Sequence, residues 1–342
     1  MSKSFARLTD DKPILSTVVI GRNEGERLVR CLQSVIAMEQ PPGGSVEIIY
    51  VDSASTDDSV ARARQLGANV IQVNPKRPCA SVGRNAGWRA SRADNVLFLD
   101  GDTILARDFV VTAWPQFDDP SIAVVFGNRR EIKIRDSIYN RVLDLDWIAP
   151  PGGIKFCGGD ALIRRAVLDR VNGYDESLIA GEDAELCYRI RALGCKIVHI
   201  SRHMTGHDLA IHRFSQYWRR SLRTGYAYAE ISQKFRHSST PVWSREAHRN
   251  LFHGALMVAI VVGFPILSLV IHSVIPIVAA IAITAALAIR TAIRSRWKCA
   301  GLGTRLAYGL HSHLGQIPIW FGQLKYQLNR WNGRTAKLIE YK

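Results

Sequence analysis

Phe98-Leu99-Asp100-Gly101-Asp102 sets two carboxylates one residue apart at the end of an apolar run. Carboxylate oxygens are hard ligands, so such a pair can share a divalent cation whose other positions are filled by pyrophosphate oxygens. An Asp-x-Asp by itself is common in solvated turns. Here a further carboxylate, Asp52, closes another apolar run, Val46–Val51, and the two together favour a ligand site. Asp52 could accept hydrogen bonds from a base or ribose, or cap the following helix, a role open to Ser55 or Asp57 instead. Gly181-Glu182-Asp183 opens a helical stretch, where the helix dipole favours carboxylates. Capping is one reading. The other is that one of the two takes the proton of an attacking hydroxyl as general base, with dipole and metal keeping it ionised at neutral pH. His207 is a candidate third ligand to the cation. Arg84-Asn85 opens a helix whose backbone N–H groups, with Arg84, could meet a phosphate.

The elements that must position these groups alternate. Apolar runs at Ile14–Ile20, Val46–Val51, Asn69–Val73 and Val96–Leu99 read as strands, and Leu28, Cys31, Leu32, Val35 and Ile36 recur at helical spacing. Further helices are expected over Thr56–Leu66, with Asp57 and Asp58 in its first turn, and over Ser81–Ala90 and Glu182–Leu193. Strands alternating with helices imply a mostly parallel sheet covered on both faces, with ligands at the carboxyl ends of the strands. Those ends carry Asn23, Asp52 and Asp100. Later come a loop at 148–153, a Gly158-Gly159-Asp160 turn and a strand at Lys196–Ile200 that His207 follows.

The C-terminal part differs. Leu251–Ile289 holds no Lys, Arg, Asp or Glu, and its 39 residues suffice for two bilayer spans turning near His272-Ser273. Basic residues on both flanks (Arg245, Arg249, Arg290, Arg294) place both ends in the cytoplasm. Residues 241–342 hold 12 Lys and Arg against two acids, Glu246 and Glu340, so 12 − 2 = +10 of the formal +15 lies there. That suits anionic phospholipid and disfavours nucleic acid, because the charges flank an apolar run instead of forming a solvated stripe. Phe214–Phe235 mixes aromatics with arginines as a helix at a membrane surface does, and Ala307–Leu324 reads as an interfacial helix. Six scattered cysteines without a CxxC pair suit a reducing compartment, and no apolar leader precedes the first strand.

In their order, Val18-Val-Ile-Gly-Arg-Asn-Glu24, Val51-Asp-Ser-Ala-Ser-Thr-Asp57, Gly83-Arg-Asn-Ala-Gly87, Asp100-Gly-Asp102 and Val171-Asn-Gly-Tyr-Asp-Glu-Ser177, then Gly181-Glu-Asp183, resemble the family-2 glycosyltransferases. The resemblance covers about residues 13–210 and implies a GT-A fold, an α/β sheet flanked by helices, here followed by a C-terminal transmembrane hairpin. It implies an inverting transfer with Asp183 as base supported by Glu182. Asp52 would read the nucleotide, usually uridine, and Asp102 with Asp100 would hold Mn²⁺ or Mg²⁺. Ser53 and Ala54 depart from the family's usual Asp-Asp-Gly-Ser. Gln216-Tyr-Trp-Arg-Arg220 only echoes the Gln-x-x-Arg-Trp motif of processive synthases, so one sugar per acceptor is expected.

The resulting expectation has five segments: a polar tail (1–12), a catalytic domain (13–210), interfacial helices (211–250), a hairpin (251–290) and a basic tail (291–342). Asn23, Glu24, Asp52, Arg84, Asp100 and Asp102 form the nucleotide-sugar set, Asp102, Asp100 and His207 the metal set, and Gly158, Gly159, Trp218 and Arg219 the acceptor side. The partners are a nucleotide-sugar, a lipid-linked or polysaccharide acceptor, and an anionic inner-membrane surface with the catalytic domain on its cytoplasmic face. Polysaccharide-assembly proteins could join them. The alternatives are a catalytically silent scaffold of such an assembly and a nucleotidyltransferase, although Gly21-Arg-Asn-Glu-Gly25 is a poor match to the latter's Gly-rich loop.

Overall fold

The computed structural model describes residues 12–148, 156–239, 241–298 and 300–334. The expected N-terminal tail through residue 11, the loop at 149–153 and the basic tail beyond 334 lie outside the described residues. The described residues form two compact units, one drawn from 12–132, 156–177 and 182–209, the other from 133–148, 178–181 and 210–334.

In chain order the elements are β1 (Leu15–Gly21), α1 (Glu26–Ile36), β2 (Val46–Asp52), α2 (Ser59–Gln65), β3 (Asn69–Gln72), α3 (Ala80–Ala90), β4 (Asn95–Asp100), β5 (Thr103–Leu105), α4 (Phe109–Ala113), β6 (Ile122–Glu131), α5 (Ile138–Trp147, in the second unit), β7 (Ala161–Arg164), α6 (Arg165–Val171), α7 (Glu182–Ala192) and β8 (Lys196–His207). The strands make one sheet in the order β3-β2-β1-β4-β7-β6-β8-β5. β3, β2, β1 and β4 run parallel, as do β6 and β8, while β7 opposes both its neighbours and β5 opposes β8. Val18, Val19, Ile49, Val51, Leu97, Phe98 and Leu99 are fully buried, as strands covered on both faces require. The order of β2, β1 and β4 makes β1 the switch point. Register sets Gly21 beside Asp52 and Ile20 beside Asp100, so the ends of three strands open on one edge.

Two boundaries differ from expectation. The second helix begins at Ser59, because the Asp57 carboxylate accepts the Ser59 N–H at 3.0 Å. That Asx turn competes with helical pairing, so Asp57 and Asp58 precede the helix. β8 does not stop at Ile200 but continues to His207, so His207 ends the strand instead of following it. Its polar Ser201-Arg202-His203 stretch stays in the ladder through register shifts against β6, which hydropathy does not reveal.

The second unit is helical: α5, α8 (Phe214–Lys234), α9 (Ser244–Val258), α10 (Phe264–Val270), α11 (Ile275–Arg294), α12 (Leu302–Leu314) and α13 (Gln316–Trp331). A π-turn at Ala259–Gly263 joins α9 to α10 as one 27-residue helix, Ser244–Val270. With α11 it is long and apolar enough to cross a membrane, and only 22% of either apolar window is buried within the protein. Phe252 and Leu269 are 74% exposed. Such surfaces are uncommon on a helix built for a soluble core. Between the two helices His272 takes a left-handed φ of 49°, the Ser273 N–H bonds the Ser268 carbonyl at 3.1 Å, and Pro276 sits in the first turn of α11. The single interfacial helix expected over Ala307–Leu324 is instead two helices meeting at Gly315. Pro318 fits the first turn of α13, but its ring would clash with the Leu314 carbonyl if one helix ran through. α8 and α13 pack with their backbones close: a Cβ on Gly225 would strike the Ile319 carbonyl, and one on Gly322 the Leu222 carbonyl.

Candidate active site

The Asp-Gly-Asp turn links β4 to β5. The Gly101 N–H bonds the Ile20 carbonyl at 2.8 Å, and the Thr103 hydroxyl bonds the Asp100 carbonyl at 2.8 Å. β5 then pairs with the end of β8, setting His207 opposite Thr103. The sheet thereby delivers ligand atoms of Asp100, Asp102 and His207 to within 4.8 Å of one another. His207 Nε2 lies 3.3 Å from Asp102 Oδ1, and both residues are buried. Two carboxylates and an imidazole form a donor set suited to Mn²⁺ or another hard-to-borderline divalent cation. The expected metal residues therefore do come together.

Beside them lies a second charge cluster. The buried Arg84 guanidinium is 2.8 Å from Asp100 Oδ1, 2.8 Å from Glu182 Oε1 and 3.6 Å from Asp183 Oδ1, with the Tyr174 ring beneath it. Arg84 stands in the second turn of α3, not at its start, and its charge is directed to these carboxylates. Gly159 lies against the Arg84–Asp100 pair, where a side chain would collide with the guanidinium. Gly158 has open space beside it.

Glu182 and Asp183 begin α7. Burial pushes the Asp183 carboxyl up to about 7; Arg84 pulls the other way, while Glu182 and Asp100 push it further up. Desolvation is thus the largest effect on this carboxyl, and it opposes the ionisation that helix dipole and cation together favour. Asp183 Oδ1 accepts no hydrogen bond among the described residues.

Two residues that sequence reasoning did not select, Arg129 and Asp160, complete the cluster. Arg129 on β6 is 2.8 Å from Asp160 and 3.4 Å from Asp100. Burial raises the Asp160 carboxyl and Arg129 lowers it, the former prevailing. Asp160 stood in a motif read only as a turn. Arg129 carries no local signal in sequence, because it reaches the site through a strand pairing with Thr205, which lies 205 − 129 = 76 positions along the chain.

At the other strand ends, Asn23 has a left-handed φ of 54° and binds the second loop: its N–H donates to Ser55 Oγ at 2.8 Å and its Oδ1 accepts the Thr56 N–H at 2.7 Å. Asp52 is fully buried, with Oδ1 accepting from the Tyr50 hydroxyl and Oδ2 from the Ser55 N–H, both at 3.0 Å. Glu24 pairs with Arg27 at 2.8 Å. The Asn85 amide spans the motifs Gly83–Gly87 and Val171–Ser177, bonding Tyr174 N–H and carbonyl at 2.8 Å each. Trp218 and Arg219 stand on α8 of the second unit, Trp218 against Phe214 and Phe321. Gln216, part of the synthase-like echo, caps that helix through the His212 and Arg213 N–H groups at 3.0 Å.

The sequence profile of glycosyl transferase family 2 matches residues 16–171, which hold β1, β2, β4 and the Asp-Gly-Asp turn. The chain carries a family-2 glycosyltransferase domain. It is 26% identical over 213 residues to a pre-mycofactocin glycosyltransferase of Mycobacterium tuberculosis, covering 56% of this chain and 42% of that protein. An O-antigen chain rhamnosyltransferase of Salmonella typhimurium is 26% identical over 184 residues, 47% of this chain and 57% of its own. The chain spans only 40% to 42% of the length of the first curated relatives it matches. Among solved structures, a mannosyltransferase from Pyrobaculum calidifontis in complex with GDP-Man and Mn²⁺ aligns over 94% of this chain and 89% of its own, with a TM-score of 0.60 and 18% identity. That likeness concerns the fold: the glycosyltransferase unit is of GT-A type.

Proposed function

We propose that this glycosyltransferase moves a hexose from a nucleotide-sugar, a UDP-sugar by the motif resemblance, to a hydroxyl of a lipid-linked or polysaccharide acceptor, with inversion and one sugar per acceptor. The observation that carries the reading is the convergence of Asp100, Asp102 and His207 within 4.8 Å beside Asp183 and Glu182 of the same unit. Asp100, Asp102 and His207 would hold a divalent cation, whose Lewis acidity would stabilise the diphosphate leaving group. Asp183 takes the proton of the acceptor hydroxyl at its carboxylate, and Glu182 holds Arg84 against the site. Asn23, Glu24 and Asp52 shape the two loops that receive the nucleoside, Asp52 through its bond to the Ser55 N–H. Gly158, with open space beside it, and Gly159, packed against the Arg84–Asp100 pair, are assigned to the acceptor side, as are Trp218 and Arg219.

The exposed apolar faces of Ser244–Val270 and Ile275–Arg294 support insertion of both helices as a hairpin in the cell membrane, with the glycosyltransferase unit and the basic flanks on the cytoplasmic face. At about 1.5 Å per residue, 20 to 27 residues are enough for a hydrocarbon core of about 30 Å. A lipid-linked acceptor and anionic phospholipid suit that setting. The test is nucleotide release by the detergent-purified chain from a panel of nucleotide-sugars with Mn²⁺ or Mg²⁺, with and without membrane lipid extract, beside an Asp102→Ala control. Release of one nucleotide, dependent on metal and lipid and absent in the control, is expected. Release unaffected by chelation or by the control sinks the reading.

A further inference from the structure

Asp160 stands immediately before β7, the strand that lies between β4 and β6, and register sets its neighbour Ala161 opposite Phe98. Its buried carboxylate receives three bonds. Oδ1 accepts the backbone N–H of Asp100 at 3.0 Å, Oδ2 accepts the Thr205 hydroxyl at 2.6 Å, and the Arg129 guanidinium lies 2.8 Å from Oδ2. These donors belong to three different strands. Asp100 ends β4 and begins the Asp-Gly-Asp turn. Thr205 is two residues before His207 on β8, so the two side chains share one face of the strand. Arg129 on β6 is paired in register with Thr205, and from there its guanidinium also approaches Asp100 Oδ2 at 3.4 Å.

We infer that Asp160 is a positioning residue for the cation site, its one carboxylate fixing the β4 end that carries Asp100 and Asp102 to the β8 end that carries His207. The inference rests on the reading of Asp100, Asp102 and His207 as a cation site. The backbone ties Asp102 to the end of β8, through the β5–β8 pairing and the Asp208 N–H, which bonds the Asp102 carbonyl at 3.0 Å. But β4 itself, where Asp100 stands, is separated from β8 in the sheet by β7 and β6. Asp160 links these two strands at the level of the ligands, as outer-shell carboxylates do in metal sites generally. An uncharged residue of the same shape cannot hold Arg129 as an ion pair while also accepting from both the amide and the hydroxyl.

The test uses the full chain in detergent and Mn²⁺ as probe, with bound and free Mn²⁺ resolved by electron paramagnetic resonance and folding checked by circular dichroism. Wild type is expected to bind Mn²⁺ and Asp102→Ala to lose it. Asp160→Asn is expected to weaken Mn²⁺ binding about 10- to 100-fold. Thr205→Val, which removes one hydroxyl at constant shape, is expected to weaken it about three- to tenfold. Nucleotide release by Asp160→Asn should recover at high Mn²⁺, the metal requirement rising while kcat is kept. A folded Asp160→Asn with wild-type Mn²⁺ affinity overturns the inference. If Asp160→Asn does not fold, unchanged Mn²⁺ affinity in Thr205→Val overturns it as well. Failure of the cation reading looks different: wild type and Asp102→Ala then bind Mn²⁺ equally or not at all, and the inference falls with it.

Discussion

In the sheet unit many of the buried polar side chains around the strand ends are charged: Asp52 at the end of β2, Asp102, Asp160 and His207, with Arg84 of α3 and Glu182 of α7. In the helical unit they are mostly neutral, Ser221, Asn250, Ser268, Ser295 and Gln323, with Asp144 the charged member among the described residues. The difference follows from what each unit must hold. A buried charge is costly unless paired. The sheet unit meets that condition by setting two guanidiniums, Arg84 and Arg129, among four carboxylates, and the mutual pairing fixes their positions. The helical unit lacks water on its apolar faces if it lies in lipid, where burial of apolar surface no longer drives helices together. Close backbones and neutral hydrogen bonds do that work instead. Gly225 and Gly322 bring α8 and α13 together, and His253–His313–Thr291 forms a chain of bonds at 3.0 Å each.

The largest expected effect is at the charged end. Asp102→Ala removes a proposed cation ligand, and loss of Lewis-acid stabilisation worth several kcal/mol lowers nucleotide release on the order of 10³-fold. Release assays with circular dichroism beside them check it; a folded, active variant would place the chemistry elsewhere. Asp183→Asn comes next, with kcat falling about 10²- to 10³-fold while Mn²⁺ binding persists. Wild-type activity should also depend on pH. Burial disfavours the charged form and sets the Asp183 carboxyl at about 7, and a base works only when deprotonated, so kcat should rise with pH through about 7. A kcat–pH profile flat across that range in wild type removes Asp183 from the base role.

The charged end was also the more legible in sequence, but only in part. Apolar runs ending in Asp52 and Asp100 announced the strands and their shared edge, because parallel strands buried on both faces leave a simple hydropathy signal. Residues whose role depends on a partner close in sequence, such as Asp100 with Asp102, could be picked out. Arg129 and Asp160 could not, since their meaning lies in register between β6, β7, β8 and β4, which no local pattern encodes. For the same reason Arg84 read as a phosphate ligand, although its carboxylate partners include one 98 residues away. The apolar hairpin was plain from composition, while the break at Gly315 was not, because Pro318 is compatible with a helix provided it lies in the first turn.

Substitutions in the helical unit sharpen the comparison from the other side. Gly225→Val must push α8 from α13 or bend both, an overpacking cost of about 1–3 kcal/mol. A lower melting temperature in detergent is expected, with Mn²⁺ binding unchanged at the melting-free temperatures of the assay. Loss of Mn²⁺ binding in the folded variant would mean that the two units do not keep separate accounts of geometry.

The smallest effect is expected at the neutral chain of bonds. His253 Nε2 faces His313 Nδ1, and His313 Nε2 faces Thr291 Oγ1, so α9, α11 and α12 are joined through one imidazole. Interhelical bonds of this kind average about 0.6 kcal/mol in membrane proteins, because the groups also find partners when the helices separate. His313→Ala removes both bonds, and His253→Ala and Thr291→Val one each. A double-mutant cycle on unfolding in detergent should return a coupling of about that size for each pair. A coupling above about 2 kcal/mol would mean that the helical unit, like the sheet unit, depends on polar contacts that find no replacement once broken, and the contrast between the units would then be one of charge alone.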